Sequence, residues 1–151
     1  FSSGINSDGL AVVDTQIDTC DHGVGLLRYF LMSHLLRSCG SVAQALARIA
    51  AVPHAGGGSL VLGDASGAVA SVELGHAAQA IESPGADWTA RTNHFTQSGT
   101  MSGSMSRGGD AALRCSQDRL ARVETALRQR NLSGSRSRTR RTASFDSPLR
   151  W

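Results

Sequence analysis

The alternation of apolar and polar positions predicts a short strand and a helix in the first quarter of the chain. A glycine-bounded turn at residues 4–9 precedes an apolar run at residues 10–13, which is typical of a buried strand. Residues 16–25 then read as a polar loop. A helix is predicted from an N-cap at Asp21 to Ser38, and because its apolar residues cover most of its circumference we expect it to be buried on several sides.

A second helix is predicted to follow almost at once. Ser41 and Gln44 have the spacing of a capping box, in which the first side chain caps the helix and the second reaches back. The inner face of this helix is apolar and consists of Val42, Ala45, Leu46 and Ile49. Pro53 and the glycines at 56–58 end it.

The middle of the chain has the pattern of short antiparallel strands. Residues 59–63 and 68–74 are apolar and flank turn residues, which indicates a β-hairpin. Residues 77–82 predict a weaker third strand, and residues 88–96 a fourth. Residues 97–109 show no periodicity and are expected to form a long loop.

The last helix is predicted at residues 116–130, where Leu120, Val123 and Leu127 form one apolar stripe. Residues 131–151 are rich in Ser, Arg and Thr and have no face that could pack, so we expect a disordered tail. Helices combined with a meander of strands indicate an α+β domain over residues 1–130.

Charge is distributed unevenly between this domain and the tail. All 15 basic residues are arginine. Residues 1–130 contain ten of them together with eleven acidic residues, whereas the tail contains five arginines and one acidic residue, Asp146. The near-neutral domain argues against a nucleic-acid-binding fold. Four tail arginines could engage phosphates or an acidic partner, namely Arg136, Arg138, Arg140 and Arg141. Aromatic residues for base stacking are scarce there, so a solvated tail is the favoured interpretation.

The three cysteines, Cys20, Cys39 and Cys115, form no close pair of the C-x-x-C kind. They suit neither a disulfide framework nor a zinc site, so a reducing, cytoplasmic location is expected. The aspartates at 14, 18 and 21 do not have the spacing of a calcium loop. No apolar run reaches the roughly 20 residues that span a bilayer, and no membrane association is expected.

Five segments carry a resemblance to a known family. They are residues 4–12 (GINSDGLAV), Leu27-Arg28, residues 60–67 (LVLGDASG) with Val72-Glu73, residues 91–95 (RTNHF), and the basic helix at residues 116–127. In this order, and collinear over about residues 4–127, they resemble the isopenicillin N (acyl-coenzyme A:6-aminopenicillanic acid) acyltransferase family.

The resemblance implies an N-terminal-nucleophile hydrolase with an αββα sandwich fold. Enzymes of this kind cut their own chain before a cysteine, whose thiolate then attacks an amide or thioester carbonyl. The acyl-enzyme is passed to water or to an amine. The implied partner is a small-molecule acyl amide or thioester; no cofactor is implied, and acyl-coenzyme A would enter as a substrate.

Three site residues follow from the same resemblance. Asn93 matches the asparagine that donates to the oxyanion, although an asparagine in a turn can also simply satisfy backbone groups. Arg119 matches an arginine near the nucleophile, where a positive charge lowers the pKa of a thiol; the alternative is a solvated helix arginine. His94 is a weaker catalytic candidate, with packing or orientation as the alternative.

The chain also departs from the family pattern. None of its cysteines stands where the nucleophile belongs, and the first residue is Phe1, so we expect a central fragment whose nucleophile lies on a missing N-terminal segment. Residues 14–16 (DTQ) replace an asparagine that follows the first strand, and the usual terminal strands give way to the tail. A catalytically inactive remnant of the family remains the alternative.

Overall fold

The computed structural model describes residues 2–83, 88–101 and 109–134, with side chains as far as residue 130. These residues form five strands and four helices. In chain order the elements are β1 (Ser3–Ile5), β2 (Ala11–Gln16), α1 (Arg28–Ser38), α2 (Val42–Ala51), β3 (Gly58–Gly63), β4 (Val69–Leu74), β5 (Gln79–Glu82), α3 (Ser98–Met101) and α4 (Gly109–Gly134). The α+β class predicted from the pattern is confirmed.

The strands form one antiparallel sheet in the order β1-β2-β3-β4-β5, so each strand pairs with its neighbour in the chain. Residue 12 faces residue 62 across β2 and β3, and residue 60 faces residue 72 across β3 and β4. Because side chains alternate between the two faces of a strand, this register collects the large apolar residues on one face.

Helices α1 and α2 cover that apolar face. The buried core comprises Leu10, Val12, Leu31, Met32, Leu35, Cys39, Val42, Ala45, Ile49, Leu60, Leu62, Ala70, Val72 and Leu74. The inner face predicted for α2 lies within it, apart from the half-buried Leu46. Burial of this apolar surface is the main stabilising contribution to the layer.

The start of α2 agrees with the prediction. The Ser41 side chain accepts a hydrogen bond from the Gln44 backbone N–H at 3.3 Å. The Gln44 side chain reaches back to the N–H of Gly40, at 2.7 Å, one residue before the capping-box position. The Asp64 carboxylate accepts from the Val42 N–H at 2.8 Å, and thus joins the β3–β4 turn to the first turn of α2.

The turn at residues 6–9 joins β1 to β2 and is held against α1. The Asn6 amide donates to the carbonyls of Leu36 and Cys39, at 3.0 and 2.7 Å. Gly9 has a φ of 89°, and a Cβ there would lie 2.8 Å from the Cβ of Ala65. Both the backbone conformation and the lack of space therefore exclude a side chain at this position. The asparagine and glycine of the GINSDGLAV segment are therefore structural residues.

The predicted start of α1 is wrong. Asp21 is not an N-cap, because its carboxylate accepts from the backbone N–H groups of Ala77 and Ala78 on the β4–β5 turn, at 2.9 and 3.2 Å. The helix begins at Arg28 instead, and the preceding residues form a loop pinned to that turn. Burial on several sides is also wrong, because Phe30 is 61% exposed.

The predicted strand at residues 88–96 is wrong as well, since none of its described residues belongs to a strand. The N–H groups of Thr96 and Gln97 donate to the Glu73 carboxylate, and a side chain thus takes the place of a ladder partner. Strand β1 lies partly in residues expected to be a turn, and α4 begins at Gly109, ahead of the predicted start.

Two further observations bear on the expectations from the sequence. Within the described residues no helix combines the length and the apolar character that a bilayer span requires. Residues 135–151, which make up most of the predicted tail, lie outside the described part of the chain.

Candidate functional site

The segment at residues 91–97 is held against the end of β2 by two hydrogen bonds. The Thr15 hydroxyl donates to the carbonyl of Thr92 at 3.0 Å. The side-chain amide of Asn93 donates to the carbonyl of Gln16 at 2.9 Å. Both contacts join residues 77 positions apart in the chain, so they fix this segment on the sheet.

Asn93 also meets α4. Arg119 donates from its guanidinium to Asn93 Oδ1 at 2.9 Å, and both residues are exposed to solvent. The amide of Asn93 carries two N–H groups, one of which is engaged by Gln16. The second has no partner among the residues that the structure describes. The structure therefore brings together two of the three residues selected from the sequence.

His94, the third, is buried and makes hydrogen bonds with other residues. Its Nδ1 lies 2.9 Å from the Ser116 hydroxyl and 3.2 Å from the Thr92 hydroxyl. Burial lowers the pKa of His94, with Arg119 and Arg91 acting in the same direction and Glu73 opposing them. Its contacts thus link the 91–97 segment to α4.

Glu73 on β4 organises the far end of the same segment. It is fully buried, and its carboxylate accepts from the Thr96 N–H and hydroxyl, both at 2.7 Å, from the Gln97 N–H at 3.1 Å and from the Thr100 hydroxyl at 2.5 Å. The guanidinium of Arg91 lies 3.5 Å away. In the sequence, Glu73 is noted only as part of the Val72-Glu73 motif. The signal that could have identified it as a buried polar centre is its position as an acidic residue inside an apolar strand.

A cavity of about 310 Å³ opens beside the end of β2. Its lining includes residues 16–19, His22, residues 27–29 and residues 55–57. Gln16 lines this cavity, and its carbonyl accepts the Asn93 hydrogen bond, so the cavity and the Asn93–Arg119 pair share one residue. A cavity of this size is at the lower end of the range for small-molecule sites.

Arg28, the first residue of α1, forms one wall of the cavity. It is buried, donates to the Asp14 carboxylate at 2.5 Å and also to the carbonyl of Gly57. Its guanidinium carbon lies 4.9 Å from the centre of the Tyr29 ring. The Asp14–Arg28 pair could not be predicted from the sequence, because neither residue lies in a local pattern that identifies its partner.

Residues 14–16, which replace an asparagine of the family pattern, each make a contact that holds the fold together. The Asp14 side chain pairs with Arg28, the Thr15 hydroxyl binds the 91–97 segment, and the backbone of Gln16 holds Asn93. Gln16 is exposed and lines the cavity, so this stretch still presents one side-chain amide there.

The three cysteines are dispersed over the fold. Cys39 is buried at the end of α1, whereas Cys20 is exposed in the loop before α1 and Cys115 is exposed on α4. Each lies inside the chain and has no free α-amine. Among the described residues, no cluster of three or more histidine, cysteine or acidic side chains could hold a metal ion.

Comparison with known proteins agrees with the family resemblance. No curated protein and no solved structure matches the chain. The family model described as acyl-coenzyme A:6-aminopenicillanic acid acyl-transferase matches residues 2–142, which include the whole sheet, the Asn93–Arg119 pair and the cavity. This chain belongs to the acyl-coenzyme A:6-aminopenicillanic acid acyl-transferase family.

Proposed function

We propose that this chain contributes the oxyanion-stabilising part of an acyltransferase or amide hydrolase that acts on amide or thioester bonds. The nucleophile in this proposal is an N-terminal cysteine on a segment that precedes the present sequence. Asn93 carries the proposal, because its amide is fixed at two atoms and keeps one N–H group without a partner among the described residues.

The two contacts of Asn93 determine where that N–H points. Gln16 accepts one amide hydrogen, and Arg119 fixes the carbonyl end. A donor held in this way needs no reorganisation when negative charge develops on a substrate oxygen, which is the basis of oxyanion stabilisation. The positive charge of Arg119 also polarises the amide and adds a favourable field for an anion.

The proposed reaction follows from these roles. The cysteine thiolate attacks the carbonyl carbon, and the carbonyl electron pair moves to oxygen, where the free N–H of Asn93 donates to it. Collapse of the tetrahedral intermediate breaks the bond to the leaving amine, which takes up a proton, or to the leaving thiolate. The acyl group is then transferred from the cysteine to an amine or to water.

The cavity beside Gln16 is the proposed site for a small-molecule substrate, with an acyl-coenzyme A thioester as one possible acyl donor. The sheet supports the αββα part of the proposal, since helices cover one face and the polar residues of β4 turn to the other. On that other face the 91–97 segment already covers the buried Glu73, so in this proposal a second sheet, from outside the described residues, packs beside this segment.

The test uses the longer protein that contains these residues with its upstream segment. Substitution of Asn93 by Ala is expected to lower kcat for acyl release from amide and thioester substrates by about 100-fold or more. Arg122→Ala is the matched control, because Arg122 is an exposed arginine of the same helix, α4, and among the described residues Arg119, not Arg122, donates to Asn93. Full activity of the Asn93→Ala variant, or absence of acyl release from the unsubstituted protein, would contradict the proposal.

A further inference from the structure

Three buried side chains form a closed hydrogen-bonded triangle between the 91–97 segment and α4. The atoms are Thr92 Oγ1, His94 Nδ1 and Ser116 Oγ, and their separations are 3.2, 2.9 and 3.1 Å. Thr92 Oγ1 also lies 3.0 Å from the Ser116 carbonyl oxygen. All three residues are at most 9% exposed. Four contacts in so small a space restrict where each hydrogen can be.

Counting hydrogens gives one assignment that satisfies every contact. The single hydroxyl hydrogen of Thr92 is donated to the Ser116 carbonyl, so Thr92 Oγ1 accepts in its other two contacts. Ser116 donates its single hydroxyl hydrogen to Thr92 Oγ1, so its oxygen accepts from His94. Nδ1 of His94 therefore carries a hydrogen, which it shares between the two hydroxyl oxygens.

The triangle also lies one helical turn from the candidate site. Ser116 precedes Arg119 by three residues on α4, so both side chains project from the same side of the helix. Anchoring Ser116 to the 91–97 segment therefore sets the rotation of α4 at which Arg119 reaches Asn93.

We propose that His94 is a positioning residue, which as the Nδ1–H tautomer locks α4 onto the 91–97 segment and thereby holds Arg119 against Asn93. The functional importance of this lock depends on the proposed function of Asn93, whereas the tautomer itself does not. His94 acts through Arg119 and does not contact the substrate.

Burial favours the neutral form of His94 and is the largest influence on its pKa, which it lowers. Among the charged groups, Glu73 on β4 favours a positive imidazole, whereas Arg119 on α4 and Arg91 on the 91–97 segment oppose it. At pH 7 the ring is accordingly neutral, and Nε2 carries no hydrogen.

The tautomer can be measured on the 151-residue chain by long-range proton–nitrogen correlation NMR with ¹⁵N-labelled histidine. The chain has five histidines, and loss of one pattern in a His94→Gln variant assigns the ring. At pH 7.5 we expect a protonated Nδ1 and an unprotonated Nε2 for His94. A ring with its hydrogen on Nε2 would overturn the assignment.

Variants of the hydroxyl groups test the lock. Ser116→Ala removes the nearer acceptor, so we expect the Nδ1–H form to be depleted and the side-chain amide signals of Asn93 to shift. Thr92→Ser keeps the hydroxyl and is expected to preserve both signatures, whereas Thr92→Val is expected to lose them. Thr125→Ala is the matched control on α4, because that hydroxyl donates only to the Ala121 carbonyl of its own helix.

The outcomes separate this inference from the proposed function. Unchanged histidine and Asn93 signals in folded Ser116→Ala protein would overturn the positioning role, whatever the catalytic activity. Failure of the proposed function would instead appear in acyl release, which would be unimpaired after Asn93→Ala substitution or absent from the unsubstituted protein, with the His94 tautomer unaffected.

Discussion

The side-chain amide of Asn93 donates to the backbone carbonyl of Gln16 at 2.9 Å, across 77 positions of the chain. The acceptor belongs to the main chain at the end of β2, so the anchor does not depend on which side chain occupies position 16. The candidate oxyanion donor is thus placed by the sheet itself. The Arg119 contact then adds the second fixed point.

Substitution of Asn93 by Asp separates the two contacts. A carboxylate cannot donate to Gln16 or to an oxyanion, but it still accepts from Arg119. We expect the free energy of unfolding to change by less than about 1 kcal/mol, because the pair is exposed, while acyl release falls about 100-fold or more. Urea denaturation and turnover of the longer protein provide the two measurements. Arg122→Ala, at an exposed residue of α4, is the control and should change neither; equal activity of Asn93→Asp and the unsubstituted protein would contradict this assignment.

Removal of Asp14 is expected to be strongly destabilising. Asp14 and Arg28 are 4% and 8% exposed, and loss of the carboxylate leaves a buried guanidinium without its counter-ion. Asp14→Ala should therefore lower the free energy of unfolding by about 3–5 kcal/mol in urea denaturation. The control is Glu124→Ala, which removes an exposed ion pair with Arg128 and should cost less than about 1 kcal/mol. Similar costs for the two variants would refute the argument from burial.

Glu73→Gln tests the polar centre under the 91–97 segment. The amide replaces one accepting oxygen by a donor and leaves Arg91 with Glu82 as its remaining ion-pair partner among the described residues. We expect a loss of about 3 kcal/mol in the free energy of unfolding, together with shifts of the backbone N–H signals of Thr96 and Gln97. Glu82→Gln, at a side chain that is 40% exposed, is expected to cost less than about 1 kcal/mol. Unchanged N–H signals in Glu73→Gln would show that the carboxylate does not hold the segment.

Glycine at position 57 keeps part of the cavity open. A Cβ there would lie 3.8 Å from both His22 Cε1 and the Ile17 carbonyl oxygen, which is ordinary contact distance inside the cavity. The φ of 95° adds a backbone cost of about 1–2 kcal/mol for any side chain. Gly67→Ala is a matched control, because Gly67 has a φ of 86° and no atom within 4 Å.

Both alanine variants are therefore expected to lose a similar amount of stability in thermal denaturation. Only Gly57→Ala should weaken substrate binding, measured as a higher KM in the longer protein. An equal KM for the two variants would show that the substrate does not enter this cavity.

Acidic pH is expected to destabilise the fold through two buried histidines. Burial lowers the pKa of both His54 and His94 below the ordinary value of 6.5. As the pH falls through 6.5 the unfolded chain binds more protons than the folded one, so the free energy of unfolding decreases. The decrease is at most about 1.4 kcal/mol per pH unit for each histidine and ends below the folded-state pKa values.

Urea denaturation at a series of pH values between 5 and 8 measures this dependence. His54→Gln removes one of the two groups and should make the slope near pH 6 shallower. A free energy of unfolding that is constant, or that rises on acidification over this range, would contradict the assignment of both histidines as buried neutral groups.

Local patterns predicted those parts of the fold whose hydrogen bonds are local. The cap of α2 involves Ser41 and Gln44, three residues apart, and the β3–β4 hairpin follows from the turn residues between its strands. Asp21 has the sequence position of an N-cap, but its partners lie more than 50 residues away on the β4–β5 turn. Sequence reasoning could not detect that competition.

The same difference between local and long-range contacts holds at the candidate site. Asn93 and Arg119 were selected through a family resemblance, and their contact spans 26 residues that no periodicity connects. The strand expected at residues 88–96 failed because the buried Glu73 carboxylate takes the N–H groups that a ladder would need. Asp14 and Arg28 remained undetected because their pairing depends on how α1 packs against β2.

Arg28 is the first residue of α1, pairs with the buried carboxylate of Asp14 and donates to the carbonyl of Gly57. Because one side chain makes all of these contacts, this wall of the cavity tolerates few substitutions. A substitution of Arg28 would disrupt the packing of α1 against the sheet, whatever its effect on ligand selectivity. Relatives with different ligands, or variants made to accept them, should differ instead at exposed positions of the lining such as His22 and Leu27. A library randomised at those two positions, with Arg28 held constant, is the economical route to new ligand preferences.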